Sequence, residues 1–187
     1  MSLHTAILYG SVREARAGIR VVRYLTAALR RRGHTTAVID AAEERLPLLD
    51  RMYKEYEHGS APTILEALAE LYRGVDAFVI VSGEYNHGIP PALKNLLDHF
   101  LEEYLFRPSA IVCYSAGQFG GVRAAMRAAS APHSFDDRAS SLVLSDEFSM
   151  GRRWHAPAAA HARTIPARGR TARYGARMRG QSDLRRA

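Results

Sequence analysis

Short apolar runs alternate with amphipathic stretches along the first 128 residues of the chain. His4 to Tyr9 (HTAILY) is apolar and stops at Gly10-Ser11, the character of a strand at the buried centre of a parallel sheet. Ile19, Val22, Leu25, Thr26 and Leu29 then recur at helical spacing, with Arg20, Arg23 and Arg30 on other faces and Gly33 as the stop. Thr36 to Ile39 predicts a second strand ending at Asp40, and residues 41–61 read as a long connection with a Leu-Pro turn. A second helix is expected from about Thr63 to Arg73, with Ile64, Leu65, Leu68 and Leu71 on its apolar face and Gly74 at its end. Ala77 to Ser82 (AFVIVS) predicts the third strand. Pro90-Pro91 opens a helix with a stripe of Leu93, Leu96, Leu97, Phe100 and Leu101, since proline costs little where its missing N–H would be unpaired. Ser109 to Tyr114 (SAIVCY) predicts the fourth strand, and Gly120-Gly121 leads into a helix carrying Val122, Ala125 and Met126.

This alternation predicts a parallel sheet with helices on both faces. Three strands end in loops of small or polar residues: Gly10-Ser11, Ser82-Gly83-Glu84 and Ser115-Ala116-Gly117. In an open α/β sheet, ligands bind beyond the carboxyl ends of the strands, where strand order reverses. Three candidate binding loops therefore share one edge.

Composition narrows the class. The chain has 187 residues, 47% hydrophobic and 24% charged, enough for one substantial core. No apolar run approaches the roughly 20 residues that span a bilayer, and the first residues lack the pattern of a secretory signal. The single cysteine, Cys113, excludes an internal disulfide framework, and no Cys/His cluster suggests zinc. A cytoplasmic, metal-free protein is the expectation. The net charge of +7 is unevenly placed. Residues 1–149 hold 16 basic and 18 acidic residues, a net −2, whereas residues 150–187 hold ten and one, a net +9. Any attraction to nucleic acid is thereby confined to the tail. Arginine outnumbers lysine 24 to 2, which fits a codon-usage bias better than a binding adaptation.

Each loop admits a chemical reading beside a plainer one. In the first, Gly10-Ser11 exposes backbone N–H groups at a positive helix end, Ser11 adds a hydroxyl, and Arg13 and Arg16 add charge with fork geometry. It suits a phosphate, or it is an ordinary turn with two solvated arginines. It is neither the nucleoside-triphosphate loop nor the G-x-G-x-x-G dinucleotide fingerprint. The second loop sets Glu84, Tyr85, Asn86 and His87 between Gly83 and Gly88. Tyr85 and Asn86 could stack on and hydrogen-bond to a planar heterocycle, and Glu84 and His87 could serve acid–base work. Alternatively Asn86 and Gly88 serve turn geometry while Glu84 is solvated. The third loop, Ser115-Ala116-Gly117-Gln118-Phe119-Gly120-Gly121, lets backbone approach a ligand, or is simply pliant. Cys113 reads as a packed thiol, and neither Ser11 nor Ser115 has the context of a hydrolase nucleophile.

Taken together, GSVREARAG, GEYNHGIPPALKNLLDHF and YSAGQFGGVRA resemble the NADPH-dependent FMN reductase family of flavodoxin-like proteins, over roughly residues 4 to 128. The resemblance implies a doubly wound α/β/α sandwich with a parallel sheet of order 2-1-3-4-5. It implies that Gly10, Ser11, Arg13, Arg16 and the adjoining loop hold the FMN phosphate, and that Glu84, Tyr85, Asn86 and His87 line the ring, with Ser115, Ala116 and Gly117 on its other side. Lys94, Asn95 and Asp98 match the helical end of the second motif and read as supports of its loop. Gly83 stands where the family has proline, a departure expected to loosen the loop while keeping its ring contacts. NADPH would deliver hydride, and a flavin, quinone or azo compound would accept electrons. No side chain is assigned a covalent or acid–base role. A homodimer with flavin near its interface is further implied. A flavin-binding electron carrier without turnover is the alternative.

The domain expected from this reading is residues 1–149. Beyond residue 128 the family pattern dissolves, although Ser141 to Leu144 (SLVL) could form a short fifth strand. Residues 150–187 hold only six large apolar residues, too scattered to cover a sheet with a helix. The tail reads either as a disordered basic arm or as the product of an altered reading frame in a GC-rich gene. An incomplete fifth unit is expected to expose apolar sheet surface, with aggregation or weakened FMN binding as the result.

Overall fold

The computed structural model describes residues 1–115, 119–130, 141–142, 144–147 and 164–165. Its main sheet is built from β1 (His4–Tyr9), β2 (Thr35–Asp40), β3 (Ala77–Gly83), β4 (Ser109–Ser115) and β6 (Leu144–Glu147), in the order β2-β1-β3-β4-β6. All four pairings are parallel. The chain leaves β1 for β2 on one side, then crosses to β3 on the other. The reversal of strand order therefore lies between β1 and β3, where the first two candidate loops emerge.

Alternation along β1 divides the core. Ile7 and Tyr9 join Val79, Val81 and Val112 under α1 (Ile19–Arg31), which contributes Val22. Ala6 and Leu8 face the opposite layer with Ile80, Ile111 and Cys113. There they meet α3 (Thr63–Arg73), α4 (Pro91–Asp98) and α5 (Val122–Ser130). Period-two burial in the strands thus yields the three-layer sandwich. Gly33, with φ +81°, takes the left-handed position after α1, and Pro91 occupies the first turn of α4. No described helix is long and apolar enough to cross a membrane.

Several expectations change. The fifth parallel strand is Leu144–Glu147, not Ser141–Leu144, because the end of β4 pairs Tyr114 with Asp146 and Ser115 with Glu147. Ser141–Leu142 (β5) instead pairs antiparallel with Thr164–Ile165 (β7), the part of the 150–187 tail that falls among the described residues. The 41–61 connection contains a one-turn helix, α2 (Ala41–Glu44), and a 3-10 turn at Tyr53–Glu55. In α5 the buried residues are Ala124, Ala125 and Ala128, while Val122 and Met126 are 40% and 65% exposed. The small alanines allow close helix–sheet approach. The closing unit expected after the fifth strand lies outside the described residues.

The edge opposite the candidate loops is tied down by Arg107, whose guanidinium donates to the carbonyls of Arg73, Val75, Glu103 and Leu105. Beside it, Tyr72 packs edge-on against Phe78 and Phe100.

Candidate functional site

The first loop starts where β1 meets α4. A Cβ placed on Gly10 would lie 2.2 Å from Leu93 Cβ, so only glycine allows the strand end to sit against this helix. Among the described residues, none of the backbone N–H groups of residues 11–18 has a hydrogen-bond acceptor within the protein. The segment then enters α1 through Gly18, with no side-chain cap and no acidic residue in the first turn. Unpaired amides at an uncapped helix start are donors of the kind that anions satisfy.

The side chains around it are unequal. Arg13 is exposed and has no partner among the described residues. Arg16 is held: its Nη1 donates to Asp40 Oδ1 at 2.5 Å and to the Ser11 carbonyl at 3.1 Å, and its guanidinium lies 5.3 Å from the Tyr9 ring centroid. The hydrogen bond to Asp40 is the main reason its pKa is raised. Ser11 is 2% exposed, and its Oγ lies 2.9 Å from the Tyr85 hydroxyl. That contact ties the first loop to the second.

The second loop is a tight reversal. Tyr85 and Gly88 exchange two backbone hydrogen bonds of 2.9 Å, and Asn86 and His87 between them have φ of +48° and +65°. Two positive φ values at the centre of a reversal define a type I′ turn, in which asparagine is favoured and histidine is unusual. Backbone strain of this kind collects at ligand sites. Asn86 and His87 are exposed at its tip.

Glu84 is neither solvated nor aimed away from the protein. Its Oε2 accepts from the backbone N–H groups of Arg123 and Ala124 at 3.1 and 3.3 Å, capping α5 from outside its own segment. Arg123 also donates to His87 Nδ1 at 2.9 Å. The carboxylate thus binds the second loop to the helix that follows the third. Gly83 is a regular residue of β3, in register with Tyr114. Asn95 supports a different segment from the one expected: it donates to the Pro47 carbonyl and accepts from Leu49 N–H. Lys94 and Asp98 pair with each other along α4.

Tyr114 fills the space between these loops. A Cβ on Gly18 would lie 2.1 Å from its hydroxyl, and one on Gly83 would lie 3.2 Å from its ring. Burial and its Tyr9 neighbour raise its pKa. Of the third loop, Ser115 ends β4, whereas Ala116 and Gly117 lie outside the described residues. Gly121, with φ +85°, rests against Cys113 and Tyr114.

Sequence reading missed Asp40 and Tyr114, whose roles come from partners far along the chain. Cys113 is buried, and burial, with Glu84 nearby, pushes its thiol up to about 12. At pH 8 only about one molecule in ten thousand would carry the thiolate. Folded protein is therefore expected to resist iodoacetamide at pH 8 and to take up one carbamidomethyl group after unfolding, read by intact mass. Rapid labelling of the folded form would contradict this burial.

Comparison with known proteins places this geometry. The sequence profile described as NADPH-dependent FMN reductase matches residues 3–154. A curated quinone reductase of Escherichia coli (strain K12) is 32% identical over 125 residues, which cover 65% of this chain and 64% of that protein. The chain thus spans 64% of the length of that relative. Among solved structures, the FerB flavoenzyme NAD(P)H:(acceptor) oxidoreductase of Paracoccus denitrificans superimposes with a TM-score of 0.54 at 20% identity, covering 68% of each chain. The azoreductase AzrA gives 0.56 at 14% identity, covering 75% of this chain and 86% of its own. At such identities the two structures show a shared fold. The profile match runs through all five strands of the parallel sheet, and the chain belongs to the NADPH-dependent FMN reductase family.

Proposed function

We propose that this chain is an NAD(P)H-dependent flavin oxidoreductase that holds FMN at the switch point of its sheet and serves a flavin, quinone or azo acceptor. The observation that carries the reading is the run of unpaired amides at residues 11–18, flanked by Arg13 and Arg16, beside a strained type I′ turn. The first part fits a phosphate and the second an extended planar ring, and the Ser11–Tyr85 contact joins the two. Family membership supports the pairing of the two.

Bound FMN would supply the redox chemistry, taking hydride from NADPH and giving electrons to the acceptor. The protein's part is to bind and orient. Gly10, Ser11, Arg13 and Arg16 would hold the phosphate end. Tyr85, Asn86 and His87 would line the ring, with Ser115, Ala116 and Gly117 across from them. Glu84 would act through the backbone it fixes. A buried, protonated Cys113 gives no nucleophile, in keeping with catalysis by positioning.

A homodimer is part of the proposal. Sedimentation at micromolar concentration is expected to give twice the chain mass.

The deciding experiment is an absorbance spectrum of purified protein with and without added FMN, followed by mass identification of what is bound. Stoichiometric yellow protein that oxidises NADPH steadily with a quinone is expected. Well-folded protein that takes up no FMN would overturn the reading, and flavin uptake without turnover would reduce it to a carrier.

A further inference from the structure

We propose that Asp40 is a positioning residue that presets Arg16 for a phosphate, and that through this pair the chain prefers FMN to riboflavin. The inference rests on the FMN reading and deepens it. Asp40 ends β2 in register with Tyr9, the residue from which the first loop departs. It is 3% exposed, and its Oδ1 receives both the Ala42 N–H at 3.0 Å and Arg16 Nη1 at 2.5 Å. A buried carboxylate is tolerated when paired, and Arg16 supplies the pair.

The decisive detail is which atoms Arg16 uses. Both of its hydrogen bonds, to Asp40 and to the Ser11 carbonyl, leave through Nη1. Among the described residues, Nε and Nη2 have no partner. The planar guanidinium is thus clamped at one nitrogen, with Nε and Nη2 left as donors. That arrangement suits a fork that takes two phosphate oxygens. An arginine ordered before the ligand arrives loses less freedom on binding than one recruited from solvent. Exposed Arg13 brings charge without that order. Lysine at position 16 would give Asp40 its counter-charge but no second set of donors.

The sign of one substitution separates positioning from simple charge. Asp40→Asn removes a negative charge beside the phosphate end, so charge alone predicts tighter FMN binding. Positioning predicts the reverse. The test titrates FMN and riboflavin into the flavin-free 187-residue chain and reads both Kd values by flavin fluorescence. Thermal melts monitor folding. Asp40→Asn is expected to weaken FMN about tenfold, as loss of an orienting partner does elsewhere, and to leave riboflavin unchanged. Arg16→Lys should lose the same preference, and Asp40→Asn combined with Arg16→Ala should fall within about twofold of Arg16→Ala alone. If Asp40→Asn fails to fold, Arg16→Lys, which retains a partner for Asp40, carries the test by itself. Wild-type preference for FMN that survives in Asp40→Asn or in Arg16→Lys would overturn the inference while leaving the FMN reading intact. Protein that binds neither flavin would overturn the FMN reading and this inference with it.

Discussion

Gly10→Ala is expected to cost about 3 kcal/mol of folding stability, the upper end for overpacking a rigid site, and to abolish flavin uptake in whatever remains folded. The added methyl would stand 2.2 Å from Leu93 Cβ and 3.0 Å from Leu93 Cα. Neither is the far end of a flexible side chain. Leu93 is buried, and its helix cannot retreat without disturbing Leu96 and Leu97, which pack in the same core. The geometry predicts a second result. Leu93→Ala will not rescue Gly10→Ala, because the offending Cβ remains. Urea unfolding of the two single variants and the double variant measures both effects. A loss below 1 kcal/mol for Gly10→Ala, or full rescue by the shortened leucine, would show that the strand end and α4 are not so closely apposed.

Glu84→Ala is expected to lower stability by about 1 kcal/mol, the usual effect of removing a helix cap, and to weaken flavin binding by more than that loss alone would explain. Its carboxylate accepts from two amides at the start of α5, where the helix dipole also favours negative charge. Removing it takes away two of the described hydrogen bonds between the turn that carries Asn86 and His87 and the helix after the third loop. Among the described residues, Arg123 then keeps its hydrogen bond to His87 as the link to that turn. Glu84→Gln retains an acceptor oxygen and should lie nearer wild type in both measurements. Denaturation curves paired with flavin titrations decide the matter. Equal flavin affinity in Glu84→Ala and wild type would mean that the two loops are held together by something else.

Much of the scaffold was legible because single segments announce themselves. Pro62 and Gly74 bracket Thr63–Arg73, and the predicted helix has those bounds. HTAILY is apolar, flanked by a glycine turn, and forms the second strand of the sheet order. What escaped depends on partners or on small side chains. The fifth strand was sought in SLVL, where the apolar run is, but an edge strand needs only backbone pairing, and LSDE supplies it. In α5 Val122, Ala125 and Met126 were read as its apolar residues, and of these Ala125 is buried, with Ala124 and Ala128 beside it. At the site, the residue types Ser, Arg, Tyr and Asn were recognisable in their loops. That Glu84 reaches an amide 39 positions away, or that Arg16 meets Asp40 24 positions on, is a property of the folded sheet edge and of no local pattern.

Tyr114 imposes a rule on anyone who would re-engineer this protein. Its phenol occupies the volume that side chains at positions 18 and 83 would need, so the three positions form one steric set. A side chain at 18 displaces the end of the Tyr114 ring or travels with a slimmer residue at 114, while one at 83 asks the same ring to give by a few tenths of an ångström.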